Sequence, residues 1–202
     1  YQKVKLNHQD VYLDSPLAIA ATEVYHRFQN VFNREDEDIM RQSKSGSLLA
    51  FLPTLRYSRT SEESMALNRI SEGAIIIAGS GMCNGGRIRH HLKHNLWRNN
   101  SHVIIVGYQA MGTPGRALVD GVKVFNIGKE SIAVNAAIHT LGGFSAHASQ
   151  SQLLNWANEF NEPRPRLYLI HGEAQAKLTL QKKFSDIEWL ANIPRYGESI
   201  PI

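Results

Sequence analysis

The stretch HTLGGFSAHASQ, His139 to Gln150, sets His139 and His147 around a run of small residues, and His171 closes the apolar run of YLIHGEA. The first stretch is too rich in glycine for a helix and too polar for a core strand. A turn of small residues lets the backbone approach another group closely and holds a histidine at its rim. An imidazole so placed serves as a structural hydrogen-bonding group, as a metal ligand, or as a proton donor or acceptor near neutral pH.

A second chemical candidate is GSGMCNGGR, Gly79 to Arg87, between an apolar run of strand length and a helical segment. That context suits a phosphate: backbone N–H groups, no side chain in the way at Gly81, Gly85 and Gly86, and a positive helix N-terminus. Arg87 and Arg89, in the first turn of that helix, would add charge-assisted contacts to phosphate oxygens. The same loop also reads as a tight strand–helix turn that binds nothing. Its glycines at 79, 81 and 85 imitate a dinucleotide fingerprint, which wants an acid at the end of the next strand. That strand ends Val106-Gly107-Tyr108-Gln109, with no acid in reach. His90 and His94 in HHLKH have zinc-compatible spacing, but the glutamate of an HExxH motif is missing and a third ligand has no obvious source. Cys83 has no base marked out beside it and reads as a small loop residue.

The charge pattern extends the phosphate theme. The net charge is +4, and no acid occurs between Glu72 and Asp120, a stretch holding Arg87, Arg89, Lys93, Arg98 and Arg116. It reads either as a solvated basic helix face or as an electrostatic footprint for a polyanion, nucleic acid first. A single cysteine excludes an internal disulfide framework and fits a reducing compartment, the cytoplasm. No apolar run approaches the roughly 20 residues that span a bilayer. The start at Tyr1-Gln2-Lys3 reads as an internal piece of a longer chain.

The elements that must position these residues alternate. Strands are expected at 11–14, 74–79, 102–107, 122–127, 131–138 and 166–170, and helices from Pro16 to about Phe32, over 61–70, 86–97, near 116–120, 149–161 and 174–185. Residues 48–57 and the terminal RYGESIPI are expected to be extended. Strand and helix in turn predict an α/β fold with a doubly wound, mostly parallel sheet. AIIIAG and HVIIVG have the unbroken apolar character of strands buried on both faces.

Six segments, taken in order, resemble one family: VYLDSPLA at 11–18, LRYSRTSEES at 55–64, IIIAGSGMCNGGRIRHHL at 75–92, GYQAMGTPGRALVDG at 107–121, HTLGGFSAHA at 139–148 and LIHGE at 169–173. The chain is similar to the C-terminal half of a β-CASP ribonuclease, the RNA-processing branch of the metallo-β-lactamase fold. The resemblance implies a β-CASP domain over 1–138, which caps the active site and helps bind RNA. Residues 139–202 are then the C-terminal strand and helix segment of the metallo-β-lactamase αββα sandwich. By the same resemblance His147 is the general acid to the leaving oxygen, and His171 is a ligand of one of two zinc ions. A zinc-bridging hydroxide would attack phosphorus in line, leaving a 5′-phosphate and a 3′-hydroxyl. Phosphate or RNA contacts are expected from Ser80, Gly81, Gly85, Gly86, Arg87, Arg89, Thr113, Gly115, Arg116 and Ser145.

The family's HxHxDH motif and its further metal ligands lie upstream of such a segment and are not found in this sequence. The chain is therefore expected to supply one zinc ligand and to be inactive alone. Ser149 stands where the family usually carries aspartate after SAHA. The implied partners are single-stranded RNA, the N-terminal metallo-β-lactamase part of the same chain and, as an assembly to test, a second copy; no membrane is expected. Two other functions are compatible with the residues: a nucleic-acid-binding module without catalysis, and a phosphometabolite-binding α/β domain resting on the glycine loop alone.

Overall fold

A computed structural model describes residues 10–28, 52–144 and 147–200. The chain divides into two compact units, residues 1–143 and 144–202. The change falls just beyond the strand Ala137–Thr140, so His139 and Thr140 stay with the first unit.

In the first unit, β1 (Asp10–Leu13) lies between β2 (Leu55–Tyr57) and β3 (Ala74–Ile77) in a parallel sheet, with Val11 opposite both Leu55 and Ile75. α1 (Pro16–Arg27) begins where the Ser15 hydroxyl accepts the Ala18 N–H and Pro16 supplies a pre-set φ. Its Ile19 packs on Val11, Leu13 and Leu55 to form one core. α2 (Ser61–Ala66) opens with a reciprocal capping box between Thr60 and Glu63 and tightens into a 3₁₀ turn, Leu67–Arg69, where a single helix through 70 was expected.

α3 (Ile88–Asn95) and α4 (Pro114–Val119) share a second core with β5 (Val124–Ile127) and β6 (Glu130–Ala133), made by Cys83, Leu92, Leu96, Leu118, Phe125, Ile132 and Ala136. β5 and β6 form an antiparallel hairpin, while β4 (His102–Ile105) pairs in parallel with β7 (Ala137–Thr140). The one strand expected at 131–138 is thus two strands. The N–H groups of Asn135 and Ala136 both donate to the Leu96 carbonyl, at 2.8 and 2.9 Å, and this turns the chain from one sheet to the other.

The fold is α/β with mostly parallel pairing, distributed among the described residues over one three-stranded and three two-stranded sheets. β3 and β4 are parallel as expected, but the expectation of burial on both faces fails. Ile104 and Val106 are 55% and 52% exposed, because alternate residues of a strand face opposite sides and only the side of Val103 and Ile105 is covered. Ile77, at the carboxyl end of β3 on the same face as the core residue Ile75, is 49% exposed. The expected end of α1 at Phe32, and residues 48–51 of the extended segment, lie outside the described residues.

The second unit holds α5 (Gln150–Asn158), β8 (Leu167–Tyr168), α6 (Ala174–Ser185) and β9 (Ala191–Asn192), with β8 and β9 parallel. Its core is Ala157, Phe184, Trp189 and Ala191. Trp189 donates its indole N–H to the Pro165 carbonyl at 3.0 Å, with Phe160 and Phe184 edge-on to its ring. The terminal segment is not extended as expected: the N–H of Glu198 returns to the Arg195 carbonyl, and the Glu198 carboxylate accepts the Arg195 N–H, which makes a turn.

Candidate nucleic-acid interface

The loops that follow β1, β2 and β3 gather at the carboxyl end of their parallel sheet, the usual place for a ligand in open α/β folds. Residues 79–87 form a loop bonded within itself. The N–H of Ser80 donates to Gly85 O, that of Cys83 to Ser80 O, and that of Ile88 to Gly79 O. Gly86 is required by the turn: its φ is +71°, and a Cβ there would stand 2.6 Å from the Gly79 carbonyl oxygen. Gly81 and Gly85 have open space where a side chain would be. The expected phosphate cradle is therefore partly self-satisfied, with its open positions at Gly81 and Gly85.

A second loop is stitched onto the first. Gln109 is buried and donates through Nε2 to Gly81 O at 2.9 Å, to Tyr108 O at 3.1 Å and to Gly107 O at 3.2 Å. The Gly115 N–H donates to Met82 O at 3.0 Å, and a Cβ at Gly115 would collide with the Gln109 amide at 1.8 Å. Thr113 caps α4 by accepting the Arg116 N–H. Ser80, Gly81, Gly85, Gly86, Arg87 and Arg89 are thereby brought together with Thr113, Gly115 and Arg116. Gln109, where a dinucleotide site would want an acid, is what joins the two loops.

Arg87 occupies a different place from the one its position in the loop suggested. Its guanidinium donates to Asp14 Oδ1 at 2.6 Å, to Ser58 O at 2.8 Å and to Arg59 O at 2.9 Å. The fully buried Asp14 also accepts from Ser64 Oγ at 2.7 Å and meets His91 Nε2 at 2.5 Å. Burial alone would raise the Asp14 carboxyl. The hydrogen bonds from Ser64, His91 and Arg87, with the dipole of the buried Ser58 hydroxyl, outweigh it and hold the group below its ordinary value of 3.8. Asp14, Ser58, Ser64 and His91 went unread in the sequence, although each lies inside one of its quoted segments.

Arg89 has one contact within its own loop, Nη1 to Asn84 O at 3.1 Å. Arg116 pairs with Asp120 through Nε at 2.8 Å across one helical turn, an exposed pair. On α3, His90 is exposed while the adjacent His91 is buried against Asp14, so HHLKH serves two faces. Burial first, and then the surrounding positive charge of Lys93, His90, His91 and Arg98, lowers the His94 imidazole below its usual value. Burial raises the Cys83 thiol, which disfavours the thiolate a nucleophile needs and fits a small loop residue.

The histidines of the opening motifs separate. His139, on β7, faces His102 on β4, with Nδ1 of His102 2.9 Å from Nε2 of His139 and the rings stacked at 5.2 Å. His147 and His171 both belong to the second unit and are exposed, each three residues ahead of a helix. His171 adopts φ +56° in the β8–α6 turn, left-handed backbone that costs a non-glycine residue about 1 kcal/mol. Ser145 lies outside the described residues. Ser149 caps α5, accepting the Gln152 N–H at 3.3 Å while Gln152 Oε1 accepts the Ser149 N–H at 2.7 Å. Serine caps a helix as well as aspartate does, so that departure keeps the cap of α5. Among the described residues no three His, Cys, Asp or Glu side chains come together to hold a metal ion. No helix among them is long and apolar enough to cross a membrane.

Comparison with known proteins adds to this geometry. Residues 1–118 match the profile of the Beta-Casp domain, and residues 131–194 that of the Zn-dependent metallo-hydrolase RNA specificity domain. The chain is 36% identical over 198 residues to Ribonuclease TTHA0252 of Thermus thermophilus, covering 98% of this chain and 44% of that protein. It is 33% identical over 177 residues to transcription termination factor FttA of Pyrococcus horikoshii, covering 84% of this chain and 26% of that protein. The chain thus spans less than half the length of either relative.

Proposed function

The chain belongs to the β-CASP family of the metallo-β-lactamase fold, and from that premise we propose that it is part of a zinc-dependent RNA phosphodiester hydrolase. In this reading residues 1–138 cap the active site and bind RNA, and residues 139–202 supply His147 as general acid and His171 as a metal ligand. The observation that carries it is the match of a metallo-hydrolase RNA specificity profile over 131–194, the span that holds both histidines.

The proposed chemistry of this chain's own residues is limited and concrete. A ribose oxygen leaves poorly as an alkoxide, so His147, as imidazolium, hands its proton to that oxygen while the P–O bond breaks, and becomes neutral imidazole. The open positions at Gly81 and Gly85, with Arg89 beside them, hold RNA phosphates. Among the described residues no set fits zinc by itself, since zinc takes about three protein ligands. His171 is one ligand in the proposal; the others, for one zinc ion or two, would come from residues outside this chain. A cytoplasmic location rests on the lone buried Cys83 and belongs to the same reading.

A second reading, a nucleic-acid-binding module without catalysis, is favoured by the acid-free stretch from 73 to 119, which attracts a polyanion without requiring chemistry. Single-turnover cleavage of labelled single-stranded RNA separates the two. The full-length protein is expected to cleave and to lose cleavage to a chelator. RNA binding with no cleavage under zinc or manganese would establish the binding module instead.

A further inference from the structure

Just past the end of α3 the chain holds an indole outward on a fixed backbone. Leu96 is fully buried, and its carbonyl accepts the N–H groups of Asn135 and Ala136 at 2.8 and 2.9 Å. The next carbonyl, that of Trp97, accepts Asn135 Nδ2 at 2.9 Å. With its backbone clamped at two successive peptides, Trp97 still leaves 54% of its surface exposed. The Arg98 guanidinium lies 5.4 Å from the ring centroid and is itself anchored by donating to the Ile70 carbonyl at 2.9 Å. The held backbone offers the ring at a fixed place on the surface, and the neighbouring cation adds attraction for a π-face or a phosphate.

The charged side chains of its own helix, Arg89 and Lys93, carry one sign. Trp97 continues the helical face that carries His90 and His94, since positions one and two turns back along a helix share its face. Glu130, the exposed acid that reaches this helix, is paired with Lys93. Otherwise the stretch from 73 to 119 has no acid. An apolar patch meant for a protein core would not need this cationic border, whereas a nucleic-acid strand matches both parts: bases for the ring, phosphates for the cations.

We propose that Trp97, backed by Arg98 and flanked by His90 and His94, is a stacking platform for a base of single-stranded RNA, separate from the glycine loop. The inference rests on the RNA reading above and deepens it. α3 starts at that loop, and its eight residues span roughly 12 Å. That is the reach of about three to four stacked nucleotides at 3.4 Å each. One strand therefore lies along α3, its phosphates at the loop and a base on Trp97.

Full-length Trp97→Ala and Trp97→Phe proteins, with single-stranded RNA of about ten nucleotides as probe, test the proposal. Trp97→Ala is expected to weaken binding by about five- to a hundred-fold, the loss of one base–aromatic stack. Trp97→Phe keeps most of the affinity, and the salt dependence of Trp97→Ala is unchanged because no charge is removed. Hydrolysis of a nitrophenyl phosphodiester, too small to reach the ring, stays at the wild-type rate. Equal RNA affinity for Trp97→Ala and wild type overturns the platform. So does a fall of several degrees in the melting temperature of Trp97→Ala, or a change in its sedimentation, which would place the ring against the rest of the chain or a second copy. A wild-type protein that neither binds nor cleaves RNA sinks the underlying reading, whatever the variants do.

Discussion

His147 and His171 have different proposed roles, so their removal should cause different losses. His171→Ala in the full-length protein is expected to lower bound zinc and activity together. His147→Ala should leave zinc content and RNA affinity in place and slow the chemical step by about 10²–10⁴, the usual effect of losing a general acid. That deficit should shrink on a nitrophenyl phosphodiester, whose oxygen leaves without a proton. Metal analysis and single-turnover rates on both substrates check it; zinc loss in His147→Ala would make that residue a ligand. The glycines separate in the same way. Gly86→Ala meets backbone at 2.6 Å with φ +71° and should destabilise the first unit by about 1–3 kcal/mol. Gly81→Ala meets nothing within 4 Å, so its melting curve should match wild type while RNA affinity falls. A normal affinity for Gly81→Ala would remove the loop from the RNA path.

At the scale of elements, Asp14 fastens the ends of β1 and β2 to the starts of α2 and α3. Removing one partner of a buried ion pair strands the other, so Asp14→Asn or Arg87→Ala should destabilise the first unit by about 3–5 kcal/mol in urea melts. The folded Asp14 carboxyl lies below its ordinary 3.8. Its contribution is therefore fully present above that value and is lost as pH falls through the lower, folded one. Wild-type stability should decline across that acid window, and Asp14→Asn should flatten the decline. Since Arg87 braces the sheet end, the electrostatic contact to RNA is expected from Arg89. Arg89→Ala should reduce the slope of log K against log salt by about one without altering the melting curve. An unchanged slope would mean that Arg89 faces solvent.

For the whole molecule, the described residues form two units, the first built on two cores and the second on one. One ligand of a zinc site is proposed among them. The 202-residue chain alone is expected to bind single-stranded RNA weakly, with steep salt dependence, and to show no metal-dependent cleavage. Chelator-sensitive cleavage by the isolated chain would show that it assembles a complete site from its own residues. Sedimentation of the full-length protein at several concentrations tests the proposed second copy.

The sequence by itself determined the order and type of the elements, because those depend on near neighbours. Ala74–Ile77 and His102–Ile105 are rich in β-branched residues, Ser15, Thr60, Thr113 and Ser149 cap the helices that follow them, and Gly86 marks a positive φ. The two histidine loops were legible for the same reason, as short motifs with fixed neighbours. Only the tertiary structure decided what Arg87 does. Its acid lies 73 residues away, and the serine and histidine that complete the cluster stand 50 and 77 residues from Asp14. No local pattern marks a buried carboxylate, whose cost is met only when distant donors converge on it. The exposure of Ile104 was likewise beyond the sequence, since an apolar run shows that a strand can be buried but not which of its faces is covered.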